Sequence, residues 1–198
     1  MKVLILGSSG MLGQRLHQTL VENKKIELFT MSRGKDHPNF KITDVNEAFE
    51  KISTIKPNFI INCIGLTKPY ISDSSPKTIL EAIDINSIFP QKLSLLCESI
   101  NSKLIQITTD CVFSGKHGGY SEYSPPDPED VYGMSKYLGE INNDFTMNLR
   151  CSIVGPNKYG DKSLYSWVQQ LPFNSTIPGF TNHLWNGVTS FELSRIVN

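Results

Sequence analysis

Val3-Leu4-Ile5-Leu6 runs straight into the stretch GSSGMLG, Gly7 to Gly13, and this junction constrains the fold more than any other part of the chain. A short, unbroken apolar run reads as a strand buried on both faces, as in parallel sheets covered by helices. Leu12, Leu16 and Leu20 then recur four apart, the apolar stripe of a helix that starts near Gly10. A glycine turn between such a strand and such a helix points free N–H groups and the positive end of the helix dipole at an anion. A Cβ at Gly7 or Gly10 would obstruct the turn or the approach of a pyrophosphate, and Gly13 lets the helix pack close. The plainer alternative is a glycine turn with no ligand; the strand before and the helix after supply the context a dinucleotide site requires.

The alternation continues downstream. Ile26–Phe29 reads as a second strand, Phe40–Ile42 as a third, Phe59–Ile64 as a fourth, Leu104–Thr108 as a fifth and Met147–Ser152 as a sixth. Asp44 caps a helix whose apolar face is Val45, Ala48, Phe49 and Ile52. A long helical stretch spans 76–100, with a kink or break expected at Pro90, and another helix is expected near 131–142. The fold class is therefore α/β, a doubly wound parallel sheet of Rossmann type with strand order 3-2-1-4-5-6. Residues 1–155 form the expected dinucleotide-binding domain. Beyond that, Leu164–Leu171 reads as a helix and 179–187 as a loop. The chain stops in a helix begun near Ser190, so 156–198 is expected to be an incomplete, truncated substrate-binding region.

Composition excludes several classes. The 19 basic residues balance the 19 acidic ones and no long basic run occurs, so nucleic acid is not an expected partner. No apolar run approaches a membrane span, and the N-terminus reads as a strand, not a signal peptide; a cytoplasmic protein is expected. The four cysteines lack CxxC spacing and read as small buried hydrophobes in a reducing compartment. The scattered histidines give no metal site.

At the end of strand two an acid would bind the 2′-hydroxyl of NAD. Here the chain reads Thr30-Met31-Ser32-Arg33, with no acid. Arg33 can pair with a 2′-phosphate and Ser32 can hydrogen-bond it, so NADP(H) is favoured over NAD(H). Far downstream, Tyr132 and Lys136 stand at i and i+4 on one helix face. A free tyrosine has a pKa of about 10. A nearby ammonium and an oxidised nicotinamide favour tyrosinate and bring that pKa toward working pH. The lysine also reaches toward a cofactor ribose. Strand five ends in Thr108-Thr109-Asp110, where ligands of open α/β sheets sit, so the Thr109 hydroxyl can bond the oxygen that Tyr132 protonates.

These stretches together resemble the extended short-chain dehydrogenase/reductase superfamily, and within it the dTDP-4-dehydrorhamnose reductase (sugar-nucleotide-binding) family. The resemblance rests on ILGSSGMLGQRL (Ile5–Leu16), INCIG (Ile61–Gly65), TTDCVFSG (Thr108–Gly115), PPDPEDVYGMSKYLGE (Pro125–Glu140) and LRCSIVGP (Leu149–Pro156). It implies Thr109, Tyr132 and Lys136 as the catalytic set, and Gly7, Ser8, Ser9, Gly10, Met11 and Leu12 on the pyrophosphate. It implies Asp44 and Val45 at the adenine, Cys63, Ile64 and Gly65 along the cofactor, and Thr109, Asp110 and Tyr132 at the sugar. The implied reaction is hydride transfer from NAD(P)H to a nucleotide-linked 4-keto-6-deoxy sugar, a step of dTDP-rhamnose and polysaccharide precursor synthesis. Tyr132 would supply the proton, Thr109 polarise the carbonyl, and Lys136 hold the ribose and lower the tyrosine pKa. The family often has tryptophan where Ile153 stands, and Trp185 is the candidate replacement ring.

Two alternatives stay open. An epimerase would retain its cofactor and return the hydride. A regulatory subunit, like the family's methionine adenosyltransferase partner, would bind the dinucleotide without turnover. The superfamily resemblance also raises a homodimer, for which the sequence shows no diagnostic patch.

Overall fold

The computed structural model describes residues 1–32, 40–41, 44–157 and 163–198. Six parallel strands, β1 (Lys2–Leu6), β2 (Glu27–Ser32), β3 (Phe40–Lys41), β4 (Phe59–Asn62), β5 (Lys103–Ile107) and β6 (Thr146–Leu149), form one sheet in the order β3-β2-β1-β4-β5-β6. This is the expected order, and β1 at its centre is buried on both faces. Val3 and Ile5 point to one side, where Leu12, Leu16 and Leu20 of α1 (Met11–Leu20) and Leu193 of α7 (Ser190–Val197) cover them. Leu4 and Leu6 point to the other, against Ile52 of α2 (Val45–Ile55) and Leu93 and Cys97 of α4 (Phe89–Ser99). Alternation along one strand thus builds two cores, each closed by a helix stripe.

Asp44 caps α2 as expected, its Oδ1 accepting the N–H groups of Asn46 and Glu47. The long helical stretch does not break at Pro90. Instead α3 (Pro76–Ile83) passes through a π-helical turn, Asp84–Ile88, into α4. Pro90 has no N–H for the Asn86 carbonyl four residues back and would crowd it, so the irregularity falls on the proline's N-terminal side. The strand-six expectation is corrected to Thr146–Leu149, and the later helix to α5, Val131–Leu138.

After β6 the chain forms β7 (Ile153–Val154), α6 (Leu164–Gln170) and β8 (Val188–Thr189), with β7 and β8 paired as a second, two-stranded parallel sheet that sequence patterning did not foresee. α7 then returns to α1, where Thr19 and Ser194 hydroxyls lie 2.9 Å apart. Among the described residues no helix is long and apolar enough to cross a membrane.

Candidate active site

The turn after β1 is rigid. Gly7 adopts φ +75°, its N–H donates to the Met31 carbonyl at 2.9 Å, and its own carbonyl accepts the Gly10 N–H at 3.0 Å. Gly10 starts α1 without any side-chain cap, so the first-turn N–H groups have no internal acceptor there. Gly13 sits directly on the turn: a Cβ there would overlap the Gly7 carbonyl. The close packing expected of Gly13 is therefore helix against turn.

The carboxyl ends of β1, β4 and β5 and the chain after β6 open on one cleft of about 590 Å³. Its walls include Gly10, Met11 and Leu12 from the turn, Cys63, Ile64 and Gly65 after β4, and Thr109 and Asp110 after β5. Tyr132 and Lys136 of α5 complete it. A buried pair on neighbouring strands orders the second wall: Asn62 Nδ2 donates to Gln106 Oε1 at 2.8 Å, and Asn62 Oδ1 accepts the Ile64 N–H at 3.1 Å.

The chemistry sits in low dielectric. Burial pushes the Tyr132 phenol up to about 12, against a hydrogen bond with Thr109 that pulls it down. Thr109 Oγ1 also faces Asp110 Oδ1 at 3.2 Å. Burial likewise pushes Lys136 down to about 8, although its Nζ donates to the Ile107 carbonyl at 2.7 Å. The expectation that Lys136 lowers the tyrosine pKa is therefore corrected for this state. The ammonium is turned to a backbone carbonyl, and desolvation governs the phenol. Burial also raises the thiols of Cys63 to about 12 and of Cys151 to about 11, and raises that of Cys111. These three line the cleft as neutral groups and only Cys97 is a core residue, which refines the expected burial.

A prediction follows for the protein without cofactor. An unfolded chain keeps Lys136 protonated to about 10.5, whereas the folded chain releases that proton near 8. Below pH 8 both states are charged and the full desolvation cost is present; between 8 and 10.5 the folded state sheds its proton first and the cost fades. Lys136→Met should stabilise the protein below pH 8 by about 2 kcal/mol, roughly 3 from relieved desolvation less about 1 for the orphaned Ile107 carbonyl. The gain in melting temperature should shrink toward pH 10.5. A gain independent of pH would show that burial does not tax this ammonium.

Several expected residues lie off the cleft wall. Gly7, Ser8, Ser9 and Gly13 build the turn beneath it: Ser8 is fully buried and the Ser9 carbonyl accepts from Gln14 Nε2 at 2.6 Å. Ser32 is buried at the end of β2, its Oγ without a hydrogen-bond partner among the described residues. Arg33 lies outside the described residues. Asp44 and Val45 stand exposed at the start of α2, away from the cleft lining. Trp185 does reach the cleft, on the same side as Ile153, with its indole N–H donating to Ser152 Oγ at 2.8 Å.

Patterning missed three supports. Asn86, fully buried in the π turn, accepts the Leu66 N–H at 2.8 Å and donates to the Leu66 carbonyl at 2.9 Å and to Ser135 Oγ at 3.0 Å, tying the β4 wall to α5. The one available signal was Pro90, four residues on. Glu140 accepts Arg150 Nε and Nη2 at 2.9 and 2.7 Å and Thr108 Oγ1 at 3.1 Å, joining the ends of α5, β5 and β6. Lys68 pairs with Asp130 at 2.6 Å beside Tyr132.

A family model described as RmlD substrate binding domain matches residues 1–153. The chain is 34% identical over 140 residues to a dTDP-4-dehydrorhamnose reductase of Aggregatibacter actinomycetemcomitans, covering 70% of this chain and 45% of that one. It is 29% identical over 167 residues to methionine adenosyltransferase 2 subunit beta of Xenopus laevis, covering 81% and 48%. Among solved structures, dTDP-4-dehydrorhamnose reductase of Bacillus anthracis in complex with NADP matches with a TM-score of 0.70 at 28% identity, covering 85% of this chain and 58% of that one. The chain spans about half the length of the curated relatives it matches.

Proposed function

The chain belongs to the RmlD substrate binding domain family, and from that premise we propose that it carries the cofactor-binding and proton-donating half of an NADP(H)-dependent nucleotide-sugar reductase. The substrate is a nucleotide-linked 4-keto-6-deoxy sugar of the dTDP-4-dehydrorhamnose kind, the substrate named for relatives of this chain. The observation that carries the reading is a single cleft walled by the glycine turn on one side and by Thr109, Tyr132 and Lys136 on the other. In this reading 1–155 is the dinucleotide-binding domain and 156–198 part of the substrate-binding region. The enzyme works in the cytoplasm, where nucleotide sugars and NADPH are made, and a homodimer is the assembly to test for.

The residues fit a dinucleotide: the turn has room only for backbone at Gly13, and the uncapped start of α1 faces the cleft at Gly10. When bound, the reduced nicotinamide supplies a hydride. Tyr132 supplies the proton to the sugar's C4 oxygen, and the Thr109 hydroxyl, which donates to Asp110 Oδ1 at 3.2 Å without substrate, turns to the same oxygen. A phenol pushed up to about 12 stays protonated at neutral pH, which suits a donor. Lys136 turns from the Ile107 carbonyl to a ribose hydroxyl. Asp110 contacts the sugar, and Trp185 walls its far side. Ser32 and Arg33 favour the 2′-phosphate over a bare ribose.

The likeness to methionine adenosyltransferase 2 subunit beta supports a second reading, a regulatory subunit that binds the dinucleotide without turnover. A panel of keto-sugar nucleotides followed by NADPH absorbance separates the three. Stoichiometric NADPH consumption is expected, with a KM for NADPH at least about tenfold below that for NADH, the worth of one charge-assisted phosphate contact. Interconversion without net consumption would replace reduction by epimerisation. Tight NADPH binding with no turnover on any sugar would leave the regulatory reading.

A further inference from the structure

We propose that the ion pair between Lys68 and Asp130 is a latch that positions Tyr132, so that both are positioning residues for the reaction. The kinetic part of this inference rests on the reductase reading; the structural part does not. Asp130 uses its two carboxylate oxygens on two different elements. Oδ1 caps α5 by accepting the Gly133 N–H at 2.7 Å, and Oδ2 meets Lys68 Nζ at 2.6 Å. Lys68 belongs to the single 3₁₀ turn Lys68–Tyr70 that follows β4 and forms a wall of the cleft. From the same segment, Asp73 Oδ1 accepts the Val131 N–H at 3.3 Å. The backbone N–H groups on both sides of Tyr132 are therefore held by carboxylates, one of them anchored to the opposite wall. Behind them Gly133 is seated against the Cys111 carbonyl, where a Cβ would overlap.

The pair also stands between two openings. Lys68 and Tyr132 line the main cleft, and with Asp73 and Asp130 they line a second cavity of about 340 Å³. The first turn of α5 thus borders a cavity on two sides. Stability alone gives this pair little purpose. The Lys68 side chain is 67% exposed, and exposed pairs contribute at most about 1 kcal/mol. Its worth lies in geometry, because displacing a reacting group by about 1 Å can cost a hundredfold in rate.

Lys68→Met and Asp130→Asn test the latch. Asparagine caps a helix about as well as aspartate, so the second variant removes the ion pair and keeps the cap. In the first arm, amide hydrogen exchange is measured with no substrate present. Exchange at 131–134 is expected to quicken by up to about fivefold in either variant, the factor that about 1 kcal/mol sets, with β1 amides unchanged. In the second arm, kcat on the best keto sugar of the wild-type protein should fall about tenfold with little change in either KM. Lys68→Arg should restore kcat, and the double variant should be no slower than either single one. Unchanged exchange at 131–134 would overturn the latch. So would a raised sugar KM at unchanged kcat, which would make Lys68 a substrate contact. If the wild-type protein reduces no keto sugar, the reductase reading falls, and the exchange arm still decides the latch.

Discussion

Tyr132→Phe should bind NADPH as the wild-type protein does and lose roughly a hundredfold to ten-thousandfold in turnover, the span typical of a positioned acid. The variant keeps the ring in its place and removes only the hydroxyl proposed to carry the proton. Stability should change by no more than about 1 kcal/mol, the worth of one hydroxyl's polar contacts. The pH dependence gives a second handle. A phenol held near 12 stays loaded throughout the neutral range, so wild-type reduction should show no loss of donor between pH 6 and pH 8. The reverse oxidation needs the phenolate and should accelerate as pH rises through the same range. Full turnover by Tyr132→Phe would remove the assigned donor. NADPH titration by calorimetry, done on the same variant, separates loss of chemistry from loss of binding.

The sheet and its glycine turn were legible because their signals are local. Val3–Leu6 and the Leu12, Leu16, Leu20 stripe each fit one period, and a right-handed crossover leaves few orders for six strands. The candidate residues Thr109, Tyr132 and Lys136 were legible as types at a spacing and at a strand end. Their electrostatics were not. That Lys136 faces the Ile107 carbonyl and that burial dominates the phenol are properties of the packed interior, set by elements far apart in sequence. The supporting contacts share that character. Asn86 reaches Ser135, Lys68 reaches Asp130 and Arg150 reaches Glu140, and none of these pairs has a local pattern to announce it. Pro90 shows the limit of a local rule: it marked an irregular helix correctly and its form wrongly, because the chain absorbed the missing donor in a π turn.

Gly10→Ala and Gly13→Ala should differ in stability although both weaken binding, which distinguishes a position shaped for folding from one shaped for a ligand. At Gly13 the new Cβ would overlap the Gly7 carbonyl, and that carbonyl has no room to retreat. It accepts the Gly10 N–H at 3.0 Å, while the Gly7 N–H is tied to Met31 at 2.9 Å. Overpacking backbone on backbone should cost about 3 kcal/mol, the upper end for an inserted methyl, and lower the melting temperature by roughly 6–12 °C for a chain of this size. NADPH affinity falls with it, because the strained turn carries the N–H groups. At Gly10 the nearest atom to a new Cβ is the same carbonyl at an ordinary 3.4 Å, and φ is −76°, which alanine adopts freely. Folding should be unaffected, or gain up to about 1 kcal/mol from a stiffer unfolded chain. The methyl instead enters the cleft that Gly10 lines, where a pyrophosphate would approach the backbone. NADPH binding should weaken at least about tenfold, the factor that 1.4 kcal/mol sets. Gly10→Ala with undiminished affinity would move the dinucleotide off this turn, and Gly13→Ala with a wild-type melting temperature would show that α1 is not seated on the Gly7 carbonyl.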